Sequence, residues 1–220
     1  VIENHDESRG VNSYIPAEDL NDTSKKFIAT MLMMQRGLPF IYQGQEIGME
    51  NVVLKSIQEV DDISTLDEYE VCLREGFSEE EAIRIVNRYS RDNARTPVQW
   101  DSSKNAGFTT GTPWLPVNPN YKKINVAEQE KDPESVLSYY KKLTALRRNP
   151  EYKETIVYGD FVPFMANEDR LMAFYREGKK TLLILGNYRK EERELELPAP
   201  VKKLVLSNTE PRITGRKITL

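Results

Sequence analysis

Apolar residues recur at helical spacing over residues 24–36, with Phe27, Ile28, Met31, Leu32 and Met34 on one face, and Gly37 ends the run. Residues 39–42 form a short apolar run rich in β-formers, closed by Gly44 and Gly48, and read as a buried strand. Residues 1–6 read as the end of another strand, so strand, helix and strand follow in the order of a βαβ unit with parallel strands. Two acidic helices are expected next, each opened by a capping box: Ser64 with Asp67, and Ser78 with Glu81. Residues 91–126 lose all periodicity and predict a loop far longer than an ordinary connection, which favours a functional role. Pro133 and Glu134 then open a helix with Val136, Leu137, Tyr140, Leu143 and Leu146 on its apolar face. From about Thr155 the pattern becomes one of short alternating segments, at 156–158, 170–175, 181–185, 194–197, 203–206 and 217–220. These predict antiparallel strands, with a glycine-containing hairpin between Phe174 and Leu183, and suggest a small sandwich.

Composition narrows the function classes. With 39% hydrophobic and 30% charged residues, the 220-residue chain has enough apolar side chains for one sizeable core or two small ones, which excludes disorder. Its 31 Lys and Arg against 35 Asp and Glu leave a net charge of -4, so the basic excess needed to bind a phosphate backbone is absent. No apolar run is long enough to cross a bilayer, and no membrane partner is expected. A single cysteine, Cys72, excludes an internal disulfide and fits a reducing, cytoplasmic setting. One histidine and one cysteine leave no soft-ligand metal site, and no cofactor is expected. The chain opens Val1-Ile2-Glu3 without an initiator Met, and residues 216–220 stop inside an alternating pattern; it reads as a fragment, entered within a strand and with a C-terminus that is itself a candidate for truncation.

Three segments carry candidate chemistry. Asn4-His5-Asp6 lies where a strand is expected to end, the place from which parallel-sheet proteins present reactive side chains. Gly37 through Met49 ends a second strand in Gln43, Gln45 and Glu46 between glycines, and Ser90 through Asp101 concentrates charged, amide and aromatic groups in the long loop. Taken singly, each also fits a bland reading as turn chemistry or a solvated loop.

In order and spacing, these segments resemble the α-amylase superfamily of glycoside hydrolases, specifically its oligo-1,6-glucosidase, dextran glucosidase and trehalose-6-phosphate hydrolase group. The resemblance continues through Ala106 to Trp114, Val117 to Tyr121 and Ile124 to Val126, and so spans nearly the whole chain. It implies an α/β plus all-β fold, in which the last strands and helices of a (β/α)8 TIM barrel (residues 1–150) precede an antiparallel β-sandwich domain (residues 151–220). On that mapping residues 1–6 end the seventh barrel strand and residues 39–43 form the eighth.

The resemblance also assigns roles. Asp6 matches the family's third catalytic carboxylate, which grips sugar hydroxyls as the ring flattens toward the oxocarbenium ion. His5 matches the histidine beside it, and Arg91 the arginine that holds the non-reducing-end glucose. Glu46 and Gln43 shape the mouth of the eighth strand, with Glu46 a further candidate for sugar contact. Arg95 is expected to fasten the loop, and Trp100 and Trp114 are candidates for stacking on sugar, with burial in packing the favoured reading for both. The sequence departs from the family where Asn-His-Asp is commonly followed by Gln-Pro-Arg and a second arginine. Here Glu7-Ser8-Arg9 keeps the first arginine, and Asn12-Ser13-Tyr14 stands in place of the second, which bears on the reducing-side subsites and the linkage preferred.

The implied activity is a retaining, exo-acting α-glucosidase of the cytoplasm, cleaving α-1,6 bonds of isomalto-oligosaccharides. The nucleophile and the acid/base would lie upstream of Val1, so these 220 residues alone would not turn over, and a missing N-terminal barrel segment would be their structural partner. Trehalose-6-phosphate hydrolase or a glucosyl-transferring isomerase are the alternatives within the family. An alternative of another class is a non-catalytic carbohydrate-binding or interaction module. Without the rest of a barrel, the first 50 residues are expected to be displaced, dimerised or poorly ordered.

Overall fold

The structure is a computed structural model and describes residues 1–188 and 190–220. Eight α-helices lie among the described residues: α1 (Gly10–Tyr14), α2 (Asp22–Met34), α3 (Ile63–Arg74), α4 (Glu79–Tyr89), α5 (Asp92–Arg95), α6 (Val126–Gln129), α7 (Val136–Arg148) and α8 (Lys153–Tyr158). Six strands follow: β1 (Asp160–Pro163), β2 (Leu171–Glu177), β3 (Thr181–Asn187), β4 (Glu194–Glu196), β5 (Arg212–Thr214) and β6 (Lys217–Thr219). The chain divides into two compact units, one of residues Val1–Lys25 with Phe40–Lys141, the other of Lys26–Pro39 with Lys142–Leu220.

In the first unit, local side-chain chemistry sets the helix ends. Asn21 caps α2 by accepting from the backbone N–H groups of Thr23 and Ser24 at 2.9 and 3.1 Å. At α4 the expected capping box forms, with Ser78 and Glu81 bonded reciprocally. Tyr69, Ala82 and Val86 form the small core that joins α3 to α4. The other expected cap does not form: α3 starts at Ile63 with Asp62 as its N-cap, and Ser64 sits inside the first turn. Likewise Pro133 precedes α7 rather than opening it, and Ser135 caps the helix by accepting from Ser138 N at 3.1 Å. Residues 1–6 and 39–43 form no strand among the described residues. A strand exists through its ladder, and neither segment finds a parallel neighbour to pair with.

The long segment 91–126 is ordered by side-chain to backbone bonds in place of periodic structure. Gln99, fully buried, donates from Nε2 to Ile124 O at 2.5 Å and Asn120 Oδ1 at 3.1 Å. Asn118 donates to the carbonyls of Glu50 and Asn51 at 3.1 and 3.0 Å. Amides can supply both donors and acceptors to an irregular backbone, which is why an Asn-rich stretch holds a fixed course without a helix or strand.

In the second unit β1, β2 and β3 form one antiparallel sheet in sequence order, and β4, β6 and β5 form another. The β2–β3 hairpin runs in register from Leu171 opposite Asn187 to Glu177 opposite Thr181, closing at Gly178 as its sequence indicates. Leu171, Leu195, Leu197 and Ile218 bring both sheets onto one apolar cluster. Two expectations fail here. Residues 156–158 belong to α8, because Tyr152, Thr155 and Ile156 are the buried positions, a helical period hidden inside a β-branched run. Residues 203–206 form no strand. Strand β5, bounded by Pro211 and by Gly215 at φ +60°, pairs with β6 instead.

Two buried arginines close the C-terminal end of α2. Arg147 donates to the carbonyls of Met33 at 2.5 Å and Gly37 at 2.6 Å, and Arg176 to that of Met34 at 2.9 Å. The last carbonyls of a helix have no partner within it, and a guanidinium supplies both donors and a charge that suits the helix dipole.

Candidate active site

The site is assembled around Arg9, the N-cap residue of α1, whose side chain is entirely buried. Its guanidinium donates to Gln43 O at 2.7 Å and Asn93 O at 3.2 Å, and lies 3.4 Å from the carboxylate of Glu3. One side chain therefore ties together the N-terminal segment, the segment ending at Gln43 and helix α5. Gly44 permits this approach: its φ is +85°, and a Cβ there would lie 2.4 Å from Met49 Sδ and 3.2 Å from Arg9 Nη1. Burial raises the Glu3 carboxyl to about 7 against the pull of Arg9, with a smaller upward contribution from the charge of Glu46.

Held by that frame, Asn4 makes a tight turn, its Oδ1 accepting from Asp6 N at 2.7 Å, and Asp6 projects with its side chain 54% exposed. Arg95 on α5 donates from Nε to His5 O at 2.9 Å and from Nη2 to Asp6 Oδ1 at 3.1 Å. Arg91 brings Nη1 to 3.7 Å from the same oxygen, and His5 Nε2 lies 3.1 Å from Asp6 Oδ2. An exposed carboxylate thus faces two guanidinium groups and an imidazole. Such a set accepts from and donates to vicinal hydroxyls, the pattern a sugar presents.

The structure therefore brings His5, Asp6 and Arg91 together and adds Arg95, which both fastens the loop and contacts Asp6. It does not bring in Glu46, whose half-buried carboxylate forms no hydrogen bond to the cluster and has one buried oxygen without a partner. Gln43 instead lines a cavity of about 140 Å³ with Arg95, Thr96, Pro97, Val98, Phe108, Trp114 and Leu115. Both tryptophans expected to be buried are open in this chain, Trp100 at 51% and Trp114 at 68% exposure. Trp114 stands at the cavity with Phe108, where too few side chains surround it to close it off.

Sequence reasoning missed Asp62. Its carboxylate accepts from Arg91 Nε at 2.8 Å and from Arg91 Nη2, and from Thr65 Oγ1 at 2.7 Å. Burial would raise its pKa, but the bonds from Arg91 and Thr65 outweigh it and hold the carboxyl at about 2. The available signal was an aspartate directly before a helical run, outcompeted by the apparent Ser64 box. Among the described residues, no cluster of three His, Cys, Asp or Glu side chains has the placement to hold a metal ion. Among these same described residues, no helix is long and apolar enough to cross a membrane.

The family model for the alpha amylase catalytic domain matches residues 1–159. The oligo-1,6-glucosidase of Parageobacillus thermoglucosidasius is 41% identical over 213 residues, covering 94% of this chain. The crystal structure of Bacillus licheniformis trehalose-6-phosphate hydrolase superposes with a TM-score of 0.90 at 38% identity, covering 99% of this chain and 40% of the other. A trehalulose synthase superposes equally well, with a TM-score of 0.90 at 36% identity over 100% of this chain and 40% of the other. The chain spans only 37% of the length of the Parageobacillus enzyme. Extended likeness in sequence and backbone, together with a family match over most of the residues, makes this chain a member of the alpha-amylase family, carrying part of its catalytic domain.

Proposed function

We propose that the chain is the C-terminal part of a retaining, exo-acting α-glucosidase that hydrolyses α-1,6-glucosidic bonds of isomalto-oligosaccharides. Residues 1–150 would complete a (β/α)8 barrel and residues 151–220 would form the β-domain after it. The observation that carries this reading is the exposed Asp6 carboxylate, held at 3.1 Å by Arg95 with Arg91 at 3.7 Å. In the reaction Asp6 accepts hydrogen bonds from two hydroxyls of the bound glucose. Those bonds strengthen as positive charge develops at the anomeric carbon, so the interaction favours the transition state over the ground state. His5 and Arg91 hold the same ring. The nucleophile and the acid/base, which in a retaining enzyme stand roughly 5–5.5 Å apart, come from the part of the protein upstream of residue 1.

Related proteins named trehalose-6-phosphate hydrolase and trehalulose synthase favour a second reading, in which the same glucose site serves another leaving group. The full-length protein is to be assayed on isomaltose, maltose, trehalose 6-phosphate and sucrose, alongside its Asp6→Asn variant and the isolated 220 residues. Selective cleavage of isomaltose, reduced by at least about 10²-fold in kcat by Asp6→Asn, is expected. Activity on another of these sugars keeps the mechanism and replaces the substrate. An Asp6→Asn enzyme with undiminished turnover sinks the assignment of the site. Turnover by the isolated residues contradicts the upstream placement of the reacting carboxyls, and sugar binding without hydrolysis by the full protein supports a binding module.

A further inference from the structure

Arg91 is drawn in two directions. The Nε and Nη2 edge of its guanidinium is taken by Asp62, and Ser64 Oγ accepts from Nη2 as well at 3.2 Å. A guanidinium has five donors in a planar fork, so this arrangement commits the donors of one edge and leaves the two on Nη1. Nη1 is the nitrogen that faces Asp6, at a distance of 3.7 Å that is too long for a hydrogen bond. The rest of the surroundings make Asp62 a fixed anchor. Its side chain is 2% exposed, and its backbone N–H, with that of Asp61, donates to Asp92 Oδ2 at 3.0 and 2.8 Å. Asp92 is the neighbour of Arg91 in sequence, so the clamp closes on itself through α5. The α3–α4 pair supplies the rigid base from which Asp62 projects.

We infer that Asp62 is a positioning residue for sugar binding: it holds Arg91 back from Asp6 and presents Nη1 to a substrate hydroxyl. The inference rests on the reading of Asp6 and Arg91 as a glucose site and adds a device to it. Without Asp62, the nearest carboxylate to Arg91 is Asp6, already bonded to Arg95. Two guanidinium groups would then occupy Asp6, and a sugar would have to displace one of them to reach the carboxylate. Asp62 removes that competition by giving Arg91 a better partner, a buried carboxylate met along one edge by two donors.

The test uses the full-length enzyme with Asp62→Asn, Arg91→Ala, the double variant, Arg91→Lys and Asp6→Asn, measured on a nitrophenyl α-glucoside. Asp62→Asn is expected to raise KM about tenfold, equivalent to about 1.4 kcal/mol, with a smaller change in kcat. Because Asp62 acts through Arg91, the double variant is expected to match Arg91→Ala alone within about twofold. Arg91→Lys, which keeps the charge but cannot span Asp62 along one edge, is expected to raise KM as Asp62→Asn does. This last variant carries the test if Asp62→Asn fails to fold. An inactive Asp6→Asn enzyme combined with multiplying effects of Asp62→Asn and Arg91→Ala, or with a normal KM for Arg91→Lys, overturns the inference alone. Full turnover by Asp6→Asn overturns the site reading and the inference with it.

Discussion

Replacing Glu3 with Gln tests the electrostatics beneath the site. Glu3 is 1% exposed, its Oε1 has no partner, and its Oε2 meets Arg9 only at 3.4 Å. Desolvation therefore outweighs the attraction of Arg9 and moves the carboxyl from 4.5 to about 7. A carboxyl with a raised folded pKa binds its proton more tightly in the folded state than in the unfolded chain. Its stabilising contribution is complete below the unfolded value of 4.5 and is lost as pH rises through about 7. Integrated over that window, the loss is on the order of 3 kcal/mol, a large fraction of the stability of an ordinary domain. Glutamine keeps the shape and cannot titrate. Urea denaturation of the full-length protein and the Glu3→Gln variant at pH 5, 6, 7 and 8 isolates the contribution as a difference between the two curves. The parent protein is expected to lose on the order of 3 kcal/mol relative to the variant between pH 5 and 8. Parallel curves would refute the argument. A parent that gains on the variant with rising pH would show that Arg9 holds Glu3 ionised, reversing the balance between desolvation and attraction.

Two further substitutions probe the second unit. Arg176→Met removes the donors that serve the carbonyls of Met34, Gly159 and Asp160, and should cost about 3–5 kcal/mol through buried acceptors left unpaired. A urea midpoint that falls while the m-value stays constant reports it, and a loss under about 1 kcal/mol would mean that water reaches those carbonyls. Gly186→Ala would place a Cβ 1.9 Å from the Phe27 ring, for an expected cost of about 1–3 kcal/mol. Phe27→Ala in the same chain should recover part of that loss if the clash is its cause, and denaturation of the two variants compares them directly.

Legibility in the sequence followed the range of the interactions. Helix α2 was readable because its apolar spacing and Gly37 lie within a few turns of each other, and the Ser78–Glu81 box because its two bonds span three residues. The β2–β3 hairpin was readable from alternation around a glycine. Helix α8 was not, since a β-branched run favours a strand until burial of Tyr152, Thr155 and Ile156 selects the helix. Trp114 was misjudged because exposure depends on neighbours remote in sequence. The resemblance to the α-amylase superfamily was legible from ordered motifs, and the family match over residues 1–159 agrees with it.

At the site, His5, Asp6 and Arg91 were singled out by the resemblance that the ordered motifs carry together, since each segment taken singly also fits turn or loop chemistry. That they converge is decided by tertiary structure: Arg9 spans Gln43 and Asn93, and Arg95 reaches His5 and Asp6 from 90 and 89 residues away. Asp62 belongs wholly to this second class. Nothing in residues 58–65 marks it as more than a helix cap, and its role arises only because α3 and α5 carry it to the guanidinium of Arg91. Local periodicity and capping chemistry are properties of adjacent residues and can be read from the chain. The orientation of a charge, and what desolvation does to it, depend on every group folded around it.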